Sequence, residues 1–174
     1  MRSESFDTPG PLKLRIEIPS GDVELETVDG TKTEVELTGP EEVVENARIE
    51  LRPRGEGHEL VVETHPRGGF KLFRLGTKGV ELRIQAPHGA SVEVSSASAD
   101  IEGRGRFGRV DVDSASGDIA FEEVEGDVRT QTASGDVEIE RLGGTGKLQS
   151  ASGDIAVGEA AGSLKVQTAS GDQD

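Results

Sequence analysis

The tetrapeptide Ala-Ser-(Gly/Ala)-Asp occurs at residues 97–100, 115–118, 133–136, 151–154 and 169–172, so one word returns every 18 positions. A second mark keeps step with it, because Gly108, Gly126, Gly144 and Gly162 each fall eight residues beyond a repeat aspartate. Self-similarity at a fixed short period constrains a fold strongly, since each unit must then pack against a near copy of itself. The two turn signals cut every unit into two short segments.

Those segments alternate with period two and therefore read as strands. Ile101, Ile119, Val137 and Ile155 head the first segment, and Val112, Thr130, Leu148 and Val166 occupy the middle of the second. About five inward side chains per unit contribute roughly 1.5–3 kcal/mol each on burial. Ordering costs about 1.5 kcal/mol per residue, so a lone unit cannot fold. Stacked copies about 4.8 Å apart supply each other's backbone partners and pool their apolar faces. The expectation is all-β: a parallel β-helix, or β-solenoid, with 18-residue coils and right-handed winding.

That register also sets the surface columns. Glu102, Ala120, Glu138 and Ala156 would lie in one column with no two carboxylates adjacent, and Asp111 would adjoin Arg129. The column Asp100, Asp118, Asp136, Asp154 and Asp172 is the exception. Its favoured role is structural: each carboxylate accepts backbone N–H and serine hydroxyl bonds at its own corner, with Gly108, Gly126, Gly144 and Gly162 at the other turn. A row of Ca²⁺ on Asp118, Asp136 and Asp154 is the rival, disfavoured because one carboxylate per coil falls short of six to eight oxygens.

Residues 1–96 lack the 18-residue step but carry alternating segments at 12–18, 23–28, 33–38, 48–52, 59–64, 80–85 and 91–96, with one helical turn at 40–47. They read as a strand-rich, partly antiparallel, sandwich-like cap. Residues 97–174 read as a solenoid of about four repeats. The sequence stops at ASGDQD directly after a turn signal, which suggests further coils in a longer protein or end-to-end association through an open C-terminal coil.

Charge and composition narrow the function. The net charge of −15 disfavours nucleic acid as a partner. Residues 65–84 break the acidity with five basic side chains and one acidic. Within the loop 66–79, Phe70, Lys71, Phe73, Arg74 and Lys78 form the candidate site for a protein partner or a second copy. The alternative is that its apolar residues plug the first coil. The absence of Cys excludes disulfides and thiolate chemistry. No apolar run approaches the roughly 20 residues that cross a bilayer. The first ten residues lack the apolar core of a signal peptide, so a cytoplasmic location is expected unless a leader has been removed.

Motifs that could carry catalysis or a cofactor have plainer readings. GRGRFG at 103–108 matches a dinucleotide fingerprint, but no helix is expected to follow it. DVDSASGD at 111–118 lacks the order of a calcium loop. His58, His65 and His88 form no zincin pattern, and no nucleophile elbow surrounds the repeated serines. Parallel β-helices include polysaccharide lyases and hydrolases, but no acid/base pair stands out; the cluster from Glu122 to Asp127 reads as a solvated rim. Thr130 and Thr132 share the inward phase of Val128, which removes an outward threonine ladder. No cofactor is expected.

The recurrent Ser-Gly-Asp-(Ile/Val) and mid-coil glycine over 97–172, with the opening FDTPGPLKLRIEIPSGDVELE, resemble the bacterial adhesin-like β-strand-repeat family, a group of unknown function. The resemblance covers essentially the whole chain. It implies a strand-rich N-terminal part leading into a parallel β-helix, with no catalytic residues to carry over. The reading is a non-enzymatic, adhesin-like scaffold or protein-interaction surface, with a calcium-stabilised binding module and a polysaccharide-active enzyme as alternatives.

Overall fold

The computed structural model describes residues 1–64, 79–172 and 174. Among the described residues, fourteen strands and one short helix make an all-β fold. From the repeat come β8 (Val110–Ser116), β9 (Ile119–Val124), β10 (Val128–Ser134), β11 (Val137–Leu142), β12 (Gly146–Ser152), β13 (Ile155–Ala160) and β14 (Leu164–Ser170). They sort into two parallel ladders. One runs β8, β10, β12, β14, pairing Val112 with Thr130 and Thr130 with Leu148. The other runs β9, β11, β13, pairing Ile119 with Val137 and Val137 with Ile155. Every partner lies 18 residues away, so each column of the sequence is a column in space.

The same ladders continue below the repeat. β7 (Ser91–Phe107) and β2 (Leu12–Val28) are each long enough to cross a corner and pair in both ladders. Residue 96 lies within β7. Ser20 and Asp22 stand opposite Ser98 and Asp100, although 78 positions separate them. Beneath β2, β5 (Gly57–Glu63) pairs parallel in the first ladder and β6 (Val80–Pro87) in the second. Beyond these the pairing turns antiparallel: β4 (Arg48–Arg54) on β5, β3 (Lys32–Thr38) on β6 and β1 (Arg2–Asp7) on β3.

The helix α1 (Glu41–Asn46) passes from β3 to β4, from one ladder to the other, and buries Val43 and Val44 in the common apolar core. It thereby closes the core at the N-terminal end. The Pro40 carbonyl accepts the N–H groups of the helix's third and fourth residues, Val43 and Val44, at 2.9 and 3.0 Å. At the other end Leu164 is 40% exposed, and Val157 and Val166 are only half-buried.

The core is a stack of columns whose largest members sit near the middle. Phe107 and Phe121 meet edge to face with centroids 5.3 Å apart. Phe121 fills the space over Gly103, where a Cβ would lie 2.4 Å from its ring. That contact accounts for the first glycine of GRGRFG. The second, Gly105, takes φ +92° in an irregularity of β7, where the next amide, Arg106 N–H, donates to Thr27 Oγ1 at 2.7 Å. A Cβ on the third, Gly108, would meet the Gly89 carbonyl oxygen at 2.5 Å. The motif is a packed bulge, and a strand, β8, follows it.

Candidate functional site

The corners of the coils show what the repeated word does. In Ser-Gly-Asp the glycines 117, 135, 153 and 171 have φ between +113° and +146°, a region that L side chains avoid. A Cβ on Gly135 would stand 2.2 Å from the Gly117 carbonyl oxygen in the coil before. Asp118, Asp136, Asp154 and Asp172 each donate a backbone N–H to Oδ1 of the aspartate one coil earlier, at 2.8–2.9 Å. The expected acceptor role therefore runs between coils, where the expectation had each carboxylate serving its own corner. One oxygen of Asp100, Asp118, Asp136 and Asp154 is thus committed to main chain. Among the described residues no three His, Asp or Glu side chains gather as a metal site.

Hydroxyl groups complete this corner from inside. Ser114 Oγ donates to the Ser116 carbonyl at 2.8 Å, and Thr132 Oγ1 donates to the Ser134 carbonyl at 3.1 Å. At the opposite corner Gly126 and Gly144 N–H groups donate to Gly108 and Gly126 carbonyls at 2.7 and 3.1 Å. A Cβ there would meet the carbonyl below at 2.5–2.6 Å. Asp127 holds the next coil by accepting the Thr145 N–H at 2.9 Å and its hydroxyl at 2.8 Å. These two bonds hold the Asp127 carboxyl below its ordinary range.

Between the corners, the two ladders present faces of opposite character. Outward on β9, β11 and β13 stand Glu122, Glu123, Glu138, Glu140 and Glu159, with Arg141 as the lone cation. Arg141 sits between Glu123 and Glu159 in the ladder register. Outward on β10, β12 and β14 stand Arg129, Lys147 and Lys165 in one column and Gln131, Gln149 and Gln167 in the next. These three strands carry no carboxylate side chain. Gln149 Nε2 donates to Gln167 Oε1 at 2.6 Å, which ties the amide column together. Elsewhere several cations find partners: Arg83 pairs with Glu24 and Arg104 with Glu102. Among the described residues no ion pair forms at Arg129, Lys147 or Lys165. Adjacent like charges at coil spacing repel by on the order of 1 kcal/mol in water.

The sequence singles out other residues. Phe70, Lys71, Phe73, Arg74 and Lys78 lie outside the described residues. The acidic cluster has structural tasks: Glu122 accepts the Gly105 N–H at 2.6 Å, and Glu123 and Glu125 face Arg141 and Arg106 at 3.7 and 3.9 Å. His88 Nδ1 bonds Thr27 Oγ1 at 2.9 Å. Thr130 and Thr132 are buried. The cation column is visible in sequence as residues 18 apart. It reads there as part of an ordinary charge mixture, because the glutamates that separate onto the other ladder are interleaved with it.

A solved structure shares the fold. A candidate cell adhesion protein from Clostridium sporogenes ATCC 15579 aligns with TM-score 0.64 and 11% identity, covering 99% of both chains. A candidate adhesin (BF0245) from Bacteroides fragilis NCTC 9343 aligns with TM-score 0.47 and 12% identity over 99% of this chain and 95% of its own. No curated protein matches the sequence. The family model of Toastrack DUF4097 matches residues 88–174, half of the chain and all of the periodic part. With that match over its columns of Ser-Gly-Asp corners, the chain belongs to the Toastrack DUF4097 family.

Proposed function

We propose that the chain is a non-enzymatic, adhesin-like module: a β-solenoid, in the manner of a parallel β-helix with one 18-residue coil per repeat, that holds an interaction surface rigidly. The observation that carries this reading is the allocation of polar groups. The repeat aspartates and Asp127 bind the main chain or hydroxyl of the next coil. The densest acidic cluster is engaged by Gly105, Arg106 and Arg141. Chemistry on a substrate needs groups left free to move protons, whereas a scaffold needs its polar groups spent on register.

Two measurements test the proposal. Hydrogen exchange should show the amides of residues 119–124 and 137–142 opening together with those of residues 12–28, as one cooperative stack. Independent opening of the periodic part would defeat the rigid-scaffold reading. Partner binding through the basic insert 66–79 is tested by assembly mass: Phe73→Asp and Lys71→Glu should each shift a self-associating or partner-bound species toward the monomer. Masses indifferent to both changes would remove the insert from the interaction surface.

A further inference from the structure

The face of β10, β12 and β14 departs from the rest of the molecule, and the departure points to a ligand. In a chain of net charge −15, three consecutive coils set a cation on the same column with no carboxylate on those three strands. The stack fixes the interval: neighbouring strands lie about 4.8 Å apart, so Arg129, Lys147 and Lys165 form a straight row roughly 10 Å long. Parallel to it runs the amide row of Gln131, Gln149 and Gln167, and beyond that the exposed small residues Ala133, Ala151 and Ala169. On the C-terminal side of the row no strand among the described residues carries a carboxylate, whereas on its N-terminal side β8 sets Asp111 opposite Arg129 and Asp113 opposite Gln131; at the corners Asp127, Asp136 and Asp154 are each bonded to the next coil.

The chemistry of this shelf selects its occupant. No aromatic side chain stands on it, so neutral sugar rings and nucleic-acid bases lack a stacking platform. Recognition must come from charge and from amide hydrogen bonds repeated along a line. Three strands of seven residues give too small an area for a stable protein interface, which buries at least about 1,000 Å² in total. A narrow polymer laid along the stack axis needs no such area. We propose that this face binds an extended acidic polysaccharide bearing one carboxylate per sugar, whose sugar-to-sugar repeat is of the same order as the coil spacing. Successive carboxylates meet Arg129, Lys147 and Lys165, and sugar hydroxyls meet the glutamine amides. The inference extends the scaffold reading and rests on it only for the rigidity of the row.

The test uses the full chain and polygalacturonate oligosaccharides, measured by calorimetry at low salt. Binding is expected, weakening as salt rises because counterions compete for the row. Lys147→Glu should weaken it roughly tenfold, as expected for one reversed ionic contact. The triple change Arg129→Glu, Lys147→Glu, Lys165→Glu should abolish it. Glu138→Lys, on the opposite ladder, should leave it intact, and dextran should not bind. Undiminished binding by the triple variant, or none by the native chain, overturns the proposal. Oligodeoxythymidylate binding as tightly overturns the glycan assignment in favour of a general polyanion surface. A native dimer dissolved by the triple change without glycan binding overturns it in favour of a second copy. Melting curves accompany each variant: a native-like transition with lost binding locates the failure in the ligand site, whereas a lost transition locates it in the scaffold.

Discussion

The two ladders of the periodic coils share one backbone plan and divide its labour. Behind the glutamate face, β9 and β11 turn Ile119, Phe121 and Val124, then Val137, Ile139 and Leu142, into the core. Behind the cation face, β10 and β12 turn in Val128, Thr130 and Thr132, then Gly146, Leu148 and Ser150. One ladder supplies most of the apolar bulk that drives stacking. The other lines its interior with small and hydroxylated groups, several of which bond the Ser-Gly-Asp corner. The ladder that contributes less burial is the one whose outer surface carries the row of cations without an ion pair among the described residues. A repeat can thus place its stability on one side and leave the other free to vary for binding.

The largest test of this division removes bulk from the apolar ladder. Phe121→Ala empties the space against Phe107 and Gly103 and should destabilise the chain by about 4 kcal/mol, as large aromatic truncations in cores do. Denaturant unfolding measures it. A loss below about 1 kcal/mol would mean that stacking energy does not reside where the burial says it does. Next comes the shared corner. Gly135→Val forces a β-branched residue to φ +133° and its Cβ to within 2.2 Å of the Gly117 carbonyl oxygen, so a loss of about 3 kcal/mol is expected. Because that corner joins the two ladders, both should loosen together in hydrogen exchange.

A smaller change should sharpen the contrast from the other side. Thr130 Oγ1 is buried without a hydrogen-bond partner, between Val112 and Leu148 in its column. Thr130→Val keeps the shape and removes the unsatisfied hydroxyl, which should stabilise the chain by about 1 kcal/mol. If it instead destabilises, that hydroxyl has a role in the cation ladder which the packing does not reveal.

The ladders themselves were legible in sequence because Ile119, Val137 and Ile155 recur at an unbroken 18. Strand alternation also located β3, β4, β5, β6 and the helical turn that became α1. The continuation into β2 was not legible. Asp22 and Asp100 occupy one column, but the residues of β3 through β6 separate them and destroy the period. Periodicity detects only neighbours that are also close in the chain. β1 was missed for a related reason: RSESFD alternates apolar poorly, and its place is fixed by antiparallel pairing with β3. The partners of the repeat aspartates were half legible. Sequence shows that each needs N–H donors, but not that Asp136 donates its own N–H downward while its carboxylate accepts from Asp154 above. The cation shelf required knowing which strands share a face, and that is a property of the coil and not of the word.

The smallest expected effect compares the two ends of the cation ladder. At its N-terminal edge Arg48 and Arg52 on β4 are not left unpaired: both donate to Glu50 Oε2, at 2.6 and 3.0 Å. Those bonds, Arg52 first and Arg48 second, lower the Glu50 carboxyl to about 2 from its ordinary 4.5. A carboxyl lowered by folding adds stability that is present above its unfolded value and disappears as pH falls through the folded one. The contribution of Glu50 should therefore hold above about pH 4.5 and fade toward pH 2. Because the pair is exposed, the effect on melting temperature should be slight, and the direct readout is the carboxyl titration by NMR. Arg52→Gln should raise the midpoint toward the ordinary value, and Lys147→Gln at the far end should leave it unmoved. A Glu50 midpoint near 4.5 in the native chain would mean that the cations of β4 are as free as those of β10, β12 and β14. The two ends of the ladder would then differ only in how many carboxylates stand nearby.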